Sequence, residues 1–589
     1  MGTMNRVEGK LVNKLMELRV RSEGHSLYVA LEKDAQNSEA VQWRVLQEIL
    51  KAHENTFFGK VHRFKEIDSL ESFRKFVPVH EYETLRSWVD NQDLTGRPAI
   101  NPDNPTFYAV TSGTTGKPKY IPVMKSSLKS HKQIQNLFLY KLMKERPDVM
   151  TGHILAVVSP AVEGYRPESG NAFGSTSGQM YLGTPKLVRK KYIVPPAVFT
   201  IDDYDLKYLL ILRLALRQDD ITYLSTANPS TIVRLTRLLN SHWKELYQDL
   251  KDGGFSRMKE LNRAQQNAIR TKLGARRARA EELNATYARN GSLKLKDILP
   301  VLQAVGCWTG GSCAIFFDQL RGEFPEQTLV RDIGYLSSEF RGTVVLSSES
   351  NAGIPTFQHY FFEFVEQSEW EDGKAKFQGL HQLRDKARYY IFVTSDAGLY
   401  RYNMNDIIEV DGFFHKTPKM RFVQKGKGVT NITGEKLYES QIISSLRAAE
   451  KELGLDSSFY MMLADVDAGG YRLVYEPRPD RLLLAQQKRQ EVTDIMEREL
   501  CGLNMEYATK RKSGRLKEAE FMILRPGTFE EYKQFCLRMG QRESQFKIIA
   551  LQYKRDLRFE FAPFAVDARV RPEEARDQQA ESKALELSL

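Results

Sequence analysis

The chain has 589 residues, of which 41% are apolar and 11% aromatic, enough for at least two domains with sizeable cores, so a globally disordered protein is excluded. A net charge of +11 rests on 86 basic against 75 acidic residues, a mixed surface that suits an anionic small ligand as well as nucleic acid. Four cysteines (Cys307, Cys313, Cys501, Cys536) with no metal or disulfide spacing point to a reducing, cytoplasmic setting; the ten scattered histidines outline no zinc site, and no stretch of about 18 apolar residues supports stable membrane insertion.

In chain order, residues 1–100 read as helices with charged outer faces. Phe107–Val110 and Tyr120–Val123 are β-prone and enclose Thr111-Ser112-Gly113-Thr114-Thr115-Gly116-Lys117, which reads as a hairpin with an enlarged tip. Two glycines let the tip turn with its N–H groups inward. The hydroxyls of Thr111, Ser112, Thr114 and Thr115, with the lysines Lys117 and Lys119, add donors and cations suited to a polyphosphate. The spacing is not that of a Walker loop, and no helix start follows.

Further on, Met124–Arg146 is expected to be helical, Ile154–Val158 a short strand, and Gly170–Gly178 a Gly/Ser-rich loop. Tyr204–Leu216 and Thr231–Leu250 read as amphipathic helices, and the alternation with strands argues for an α/β layered domain. Lys251–Lys294 is basic and helical without interleaved aromatics, so a solvated helical insertion is expected rather than a nucleic-acid platform. β-rich runs occupy 300–410. From about Gln424 the style changes to a compact α+β unit: a hairpin turned at Gly469-Gly470, and a capping box at Thr528-Phe529-Glu530-Glu531 opening a helix that stops at Gly540. The domains expected are 1–423, 424–565 and a charged, disordered tail 566–589.

Four more stretches bear on chemistry. Gly310 and Gly311 follow a strand and permit close approach of a flat ring or backbone. In Gly334-Tyr335-Leu336-Ser337-Ser338-Glu339, Tyr335 could stack on a nucleobase and Glu339 could hold Mg²⁺, which typically takes about one or two carboxylates with phosphate oxygens and water. Asp406 is expected to close a polar turn before Ile407-Ile408, and could accept hydrogen bonds from a ribose. Lys436 and Lys547 carry no signal as isolated lysines.

Taken in that order, the loop, the Tyr-Ser-Ser-Glu element, the YRYxxxD turn and the distal lysines resemble the motifs of adenylate-forming enzymes. More narrowly, HWKELYQDL, YFFEFV, GLYRYNMNDIIEVDGF and the segment LNMEYATKRKSGRLKEAEFMILRPGTFEEYKQFCLRMGQRESQFKI are similar to the acyl acid amido synthetases of the auxin-responsive Gretchen Hagen family, a likeness running from about residue 35 to 560. The resemblance implies an α/β fold with a large N-terminal domain and a small mobile C-terminal α+β domain hinged near Gln424-Lys425. It also implies ATP and Mg²⁺, with ATP phosphates at Ser112, Thr114 and Thr115, adenine facing Tyr335 beside Ser337 and Ser338, and the metal at Glu339. Asp406 would meet the ribose, and Lys436 and Lys547 the phosphate and the developing adenylate. The expected reaction is adenylation of a carboxylic acid, aromatic or otherwise bulky and apolar, followed by transfer to an amine, with an amino acid as the expected acceptor. A coenzyme A ligase and a non-catalytic nucleotide-binding regulatory protein are the alternatives, with RNA binding through the basic segment ranked last. Asn405 departs from the family's usual glycine before the ribose aspartate; Asn tolerates left-handed dihedrals, so the turn is expected to survive.

Overall fold

A computed structural model describes residues 6–111, 118–310, 313–426, 429–433, 435–539, 541, 546 and 548–566. The chain divides into two compact units, 1–423 and 424–589.

Three four-stranded sheets organise the first unit. One contains the expected hairpin: Phe107–Thr111 and Lys119–Val123 pair antiparallel, with Thr111 opposite Lys119 and Val110 opposite Tyr120. Tyr82, on the helix Tyr82–Thr95, pins the base of this hairpin: its hydroxyl donates to Tyr120 O at 3.0 Å and accepts from Tyr120 N at 2.8 Å. Arg86, one turn further on, donates to Pro118 O at 2.9 Å, just beyond the tip. The tip itself, 112–117, lies outside the described residues. Ala172–Gly174 pairs parallel with Phe107–Thr111, and Ser175 caps a helix at Thr176–Leu182, so the stretch expected as a Gly/Ser loop is an inner strand followed by a helix. Its small residues are needed for close approach: a Cβ on Gly174 would stand 2.2 Å from Ala161 O.

The second sheet is wholly parallel, His153–Val157, Ile221–Thr226, Ala304–Cys307 and Leu329–Asp332 in that order. Over it lies the helix Tyr204–Leu216, buried at every position from Leu206 to Leu216 rather than amphipathic. Arg213 in it stays buried because backbone carbonyls of the following segment receive it: it donates to Gly254 O at 2.9 Å and to Gly274 O at 3.2 Å. From the other side Arg279 donates to Leu216 O and Ile298 O. The basic segment 251–294 is helical and much of it is exposed, as expected, but one face of it is also a packed cover for this helix. Ile269, Ala280 and Leu283 are buried, and Trp243 stacks on Tyr287 with ring centres 5.9 Å apart. Its charge misleads because guanidinium groups can spend their donors on carbonyls instead of water.

The third sheet comprises Phe361–Glu366, Arg388–Thr394, Tyr402–Phe414 and Thr417–Lys425, in sequence order. Their buried aromatic and β-branched residues account for the near-continuous burial of Phe361–Val365 and Tyr389–Thr394.

In the second unit Ser457–Asp465 and Gly470–Pro477 form the expected hairpin, with Gly469 at φ +70° in its turn; Glu520–Ile523 and Leu551–Tyr553 add parallel edges. Glu439–Leu453 and Arg489–Leu503 pack together as its helices. The helix Thr528–Arg538 does not open with a capping box. Gly527 is its cap residue, at φ +91°, and the Glu476 carboxylate on the neighbouring strand accepts from Gly527 N at 2.9 Å and Phe529 N at 2.5 Å. A carboxylate from across the sheet has taken the role that local spacing assigns to Thr528, whose hydroxyl instead donates to Arg525 O. The expected stop, Gly540, is outside the described residues.

Candidate active site

The site in the first unit is built where the parallel sheet ends. Asp332, last residue of its edge strand, uses both oxygens as a clamp. Oδ2 accepts from Thr309 N at 2.7 Å and Thr309 Oγ1 at 2.8 Å, and Oδ1 accepts from Gly334 N at 2.7 Å. Trp308 Nε1 adds a bond to Gly334 O at 3.0 Å. The loop that leads into Gly310 is thereby fixed against the loop that carries Tyr335. Burial pushes the Asp332 carboxyl above its ordinary range, against the hydrogen bonds that hold it down. Gly334 has φ +88°, and a Cβ there would meet Thr343 O at 2.6 Å, so glycine is required.

Beyond Gly334 the chain makes a tight turn. Leu336 bridges Arg341, and Ser337 N donates to Phe340 O at 3.0 Å, leaving half-buried Ser338 and Glu339 at the tip. Tyr335 is buried. Its ring stacks on Phe422 at 5.7 Å and meets Phe340 edge-on at 5.2 Å, and its hydroxyl donates to Asp406 Oδ2. Burial, then the Asp406 charge, push this phenol well above its ordinary pKa, so it stays a donor.

Asp406 does not close a turn before a strand. It lies inside Tyr402–Phe414, in a bulge: Tyr390 faces Ile407 and Phe392 faces Asn403, so Met404, Asn405 and Asp406 stand opposite Ile391 alone. Asn405 takes the left-handed conformation its residue type tolerates, φ +51°, and its N–H is received by Asn403 Oδ1 at 2.8 Å. The bulge turns Asp406 inward, where it is 1% exposed.

Tyr402, which sequence reasoning did not single out, links these parts. It is buried, and burial followed by the charge of Glu339, and with them Tyr82, Asp406 and Glu81, raises its pKa well above the ordinary value. Glu339 and Asp406 therefore both act electrostatically on one buried tyrosine, as does Tyr82, which pins the hairpin base. Tyr335, Ser337, Ser338, Glu339 and Asp406 are brought together, and Gly310 is tied to them through Asp332. Of the remaining candidates, Thr111 ends its strand; Ser112, Gly113, Thr114, Thr115, Gly116, Lys117, Gly311 and Lys547 lie outside the described residues. Asp332 and Tyr402 give no motif signal, one being a strand-end aspartate and the other an aromatic in an aromatic-rich sheet.

Lys436 belongs to the second unit. It has φ +42°, and the Asn504 side-chain amide donates to Lys436 O at 3.1 Å and to Glu435 O at 3.0 Å. The buried Glu435 carboxylate receives Ile432 N and Thr433 N, both at 2.7 Å, so this loop is held by its own anion.

Among the described residues no group of three or more His, Cys, Asp or Glu forms a metal cage. One half-buried carboxylate, with a second acting on the same tyrosine, fits a cation that arrives with phosphate and water rather than one held by protein alone.

The fold is shared with solved ligase structures. It superposes on 2-hydroxyisobutyryl-CoA ligase in its postadenylation state with a TM-score of 0.54 at 14% identity, covering 93% of each chain. The likeness is closer to the GH3.15 acyl acid amido synthetase, with a TM-score of 0.78 at 21% identity over 92% of this chain and 96% of that one. A form of AtGH3.15 in complex with 2,4-DB gives 0.80. The sequence matches the GH3 family N-terminal domain over residues 28–329, the central domain over 353–425 and the C-terminal domain over 440–556. The chain belongs to the GH3 family. Its curated relatives include the indole-3-acetic acid-amido synthetase GH3.4 of Arabidopsis thaliana, 24% identical over 88% of this chain and 90% of the relative. The jasmonoyl–L-amino acid synthetase JAR4 of Nicotiana attenuata is 23% identical over 88% and 92%. The 4-substituted benzoates-glutamate ligase GH3.12 of Arabidopsis thaliana is 24% identical over 87% and 92%. No helix among the described residues is long and apolar enough to cross a membrane.

Proposed function

We propose that this protein is an ATP-dependent acid–amine ligase, which joins a carboxylic acid to an amine, an amino acid by preference, through an acyl-adenylate. The hydrogen bond from Tyr335 to Asp406, with Glu339 at the tip of the turn that Tyr335 opens, carries this reading, together with membership of a family whose curated relatives are named as amido synthetases.

ATP is a substrate here. In this reading Asp406 would accept from its ribose, Tyr335 and Phe422 would wall its base, and the hydroxyls and N–H groups of residues 112–117 would donate to its phosphates. Glu339 would hold Mg²⁺, whose contribution is to neutralise phosphate charge. The carboxylate attacks the α-phosphorus and pyrophosphate leaves; the barrier is mostly charge crowding, so positioned cations lower it. Lys436 and Lys547 are assigned by resemblance to the phosphate and the developing adenylate. The amine then displaces AMP to give the amide. Tyr335, kept protonated, fixes the Asp406 carboxylate as an acceptor.

Acid-dependent ATP–pyrophosphate exchange tests the first step, with product analysis on an amino-acid mixture against coenzyme A for the second. Exchange followed by amide is the expected result. A thioester would favour the coenzyme A alternative, which the 2-hydroxyisobutyryl-CoA ligase fold makes worth testing; no exchange with a broad acid library would leave a nucleotide-binding protein that does not catalyse.

A further inference from the structure

In the second unit one side chain holds the backbone on which Lys436 stands. Lys436 is in the left-handed region, φ +42°, which a residue with a Cβ enters at a cost and keeps only where its surroundings impose it. Two carboxamides impose it here. Asn504 is 8% exposed, and its Nδ2 donates to Glu435 O at 3.0 Å, to Lys436 O at 3.1 Å and to Gln441 Oε1 at 3.2 Å. Gln441 also accepts from Tyr438 N at 3.1 Å, and its own amide donates to Leu503 O at 3.1 Å, next to Asn504. Two successive carbonyls are thus turned toward a single buried amide. On the approach to Lys436 the buried Glu435 carboxylate also accepts from the Tyr471 hydroxyl, and the Tyr553 hydroxyl accepts from Asn431 N at 2.9 Å. Shifting the Lys436 backbone therefore means breaking bonds to a helix start and to two strands, Gly470–Pro477 and Leu551–Tyr553.

Asn504 has a second task, and the two can be separated. Its Oδ1 accepts from Tyr507 N at 2.9 Å and caps the helix Met505–Lys512. A cap needs only that oxygen, which serine or aspartate supplies as well. The amide nitrogen is what asparagine adds, and it is directed at the lysine loop and at the glutamine that braces it.

We propose that Asn504 is a positioning residue of the ligase: through the carbonyls of Glu435 and Lys436 it fixes the backbone from which the Lys436 ammonium meets nucleotide phosphate. This rests on the ligase reading and on the place that resemblance gives Lys436. Strain held by a convergent set of bonds is how proteins pre-organise a working group, since a displacement of about 1 Å can cost on the order of a hundredfold in rate.

The first test is a double-mutant cycle on acid-dependent ATP–pyrophosphate exchange. Asn504→Ser, which keeps a cap oxygen and removes the amide, should lower kcat by about tenfold or more with the KM for ATP within about twofold of wild type. In a Lys436→Ala background the same substitution should change the rate by less than about twofold, because the group it positions is gone. A loss of equal size in both backgrounds, or none in either, would overturn the proposal and leave Asn504 a helix cap. The second test labels lysines with an acylating reagent, with and without saturating ATP, and follows the half-buried Lys436 by mass spectrometry. ATP should shield Lys436 in the wild type and shield it less in Asn504→Ser. Equal shielding in both would overturn the positioning role. No shielding in the wild type would remove Lys436 from the site, and the proposal with it, while exchange upheld the ligase reading. Shielding decides alone should Lys436→Ala be too slow to follow, and Asn504→Asp, which also keeps the cap oxygen and lacks the donor, replaces the serine variant should that one fold poorly. A wild type silent with a broad acid library would overturn both readings.

Discussion

Lys547→Ala is expected to bind ATP nearly as the wild type does and to lose at least about a hundredfold in adenylation, roughly 2.7 kcal/mol of transition-state stabilisation. The separation of binding from rate follows from where the groups sit in the sequence. Base and ribose are assigned to Tyr335 and Asp406, and the metal to Glu339, all in the first unit. A lysine that the family resemblance assigns to the developing adenylate contributes where charge concentrates, at the α-phosphorus under attack, and little before that. The diagnostic pattern is an unchanged Kd for ATP with a depressed rate of acid-dependent pyrophosphate exchange. Lys547→Arg should recover part of the rate, because a cation remains. Near-wild-type exchange by Lys547→Ala would remove this lysine from the mechanism.

The second large effect concerns what holds Asp406 in place. Glu363 is 1% exposed in the middle of the strand Phe361–Glu366, and each of its oxygens receives an arginine: Oε1 takes Arg74 Nε and Oε2 takes Arg401 Nε, both at 2.8 Å. Arg401 is 4% exposed, has φ +42°, donates to Val77 O at 3.0 Å and lies 4.3 Å from the Phe377 ring centre. Glu363→Ala leaves that guanidinium buried without its anion and should destabilise the first unit by about 3–5 kcal/mol. Glu363→Gln, which keeps an acceptor, should cost less. Because Arg401 precedes Tyr402 and the bulge, a surviving Glu363→Ala protein should also show a raised KM for ATP. Thermal unfolding followed by a first-unit signal checks the first expectation. A shift within that of an exposed Glu→Ala control would show that the arginines find other partners.

Local chemistry made the framework legible: the Thr111 hairpin, the Gly469 turn and the Asn405 left-handed residue each follow from one or two residue types with narrow backbone preferences. What escaped were features whose cause lies far off in the chain. Glu476 caps a helix from the next strand, and Thr528, spaced for that role, does not. Arg213 and Arg279 look like surface charge until the carbonyls that receive them are in view. Asp332 and Tyr402 shape the site without any motif, since a clamp between two loops and a tyrosine in the field of two carboxylates exist only once the sheets are assembled. Asp406 was legible as a polar group beside a strand, but the bulge that aims it depends on register with Ile391.

The most direct measurement follows the oxygen. An acid carrying heavy oxygen in its reacting carboxylate is turned over with ATP and an amino acid, and the nucleotide product is examined by mass spectrometry. Attack on the α-phosphorus predicts AMP as the nucleotide, with one labelled oxygen transferred into it, and an amide retaining the other. ADP with the label in inorganic phosphate would mean an acyl phosphate instead, and would contradict the adenylate-forming account of this protein.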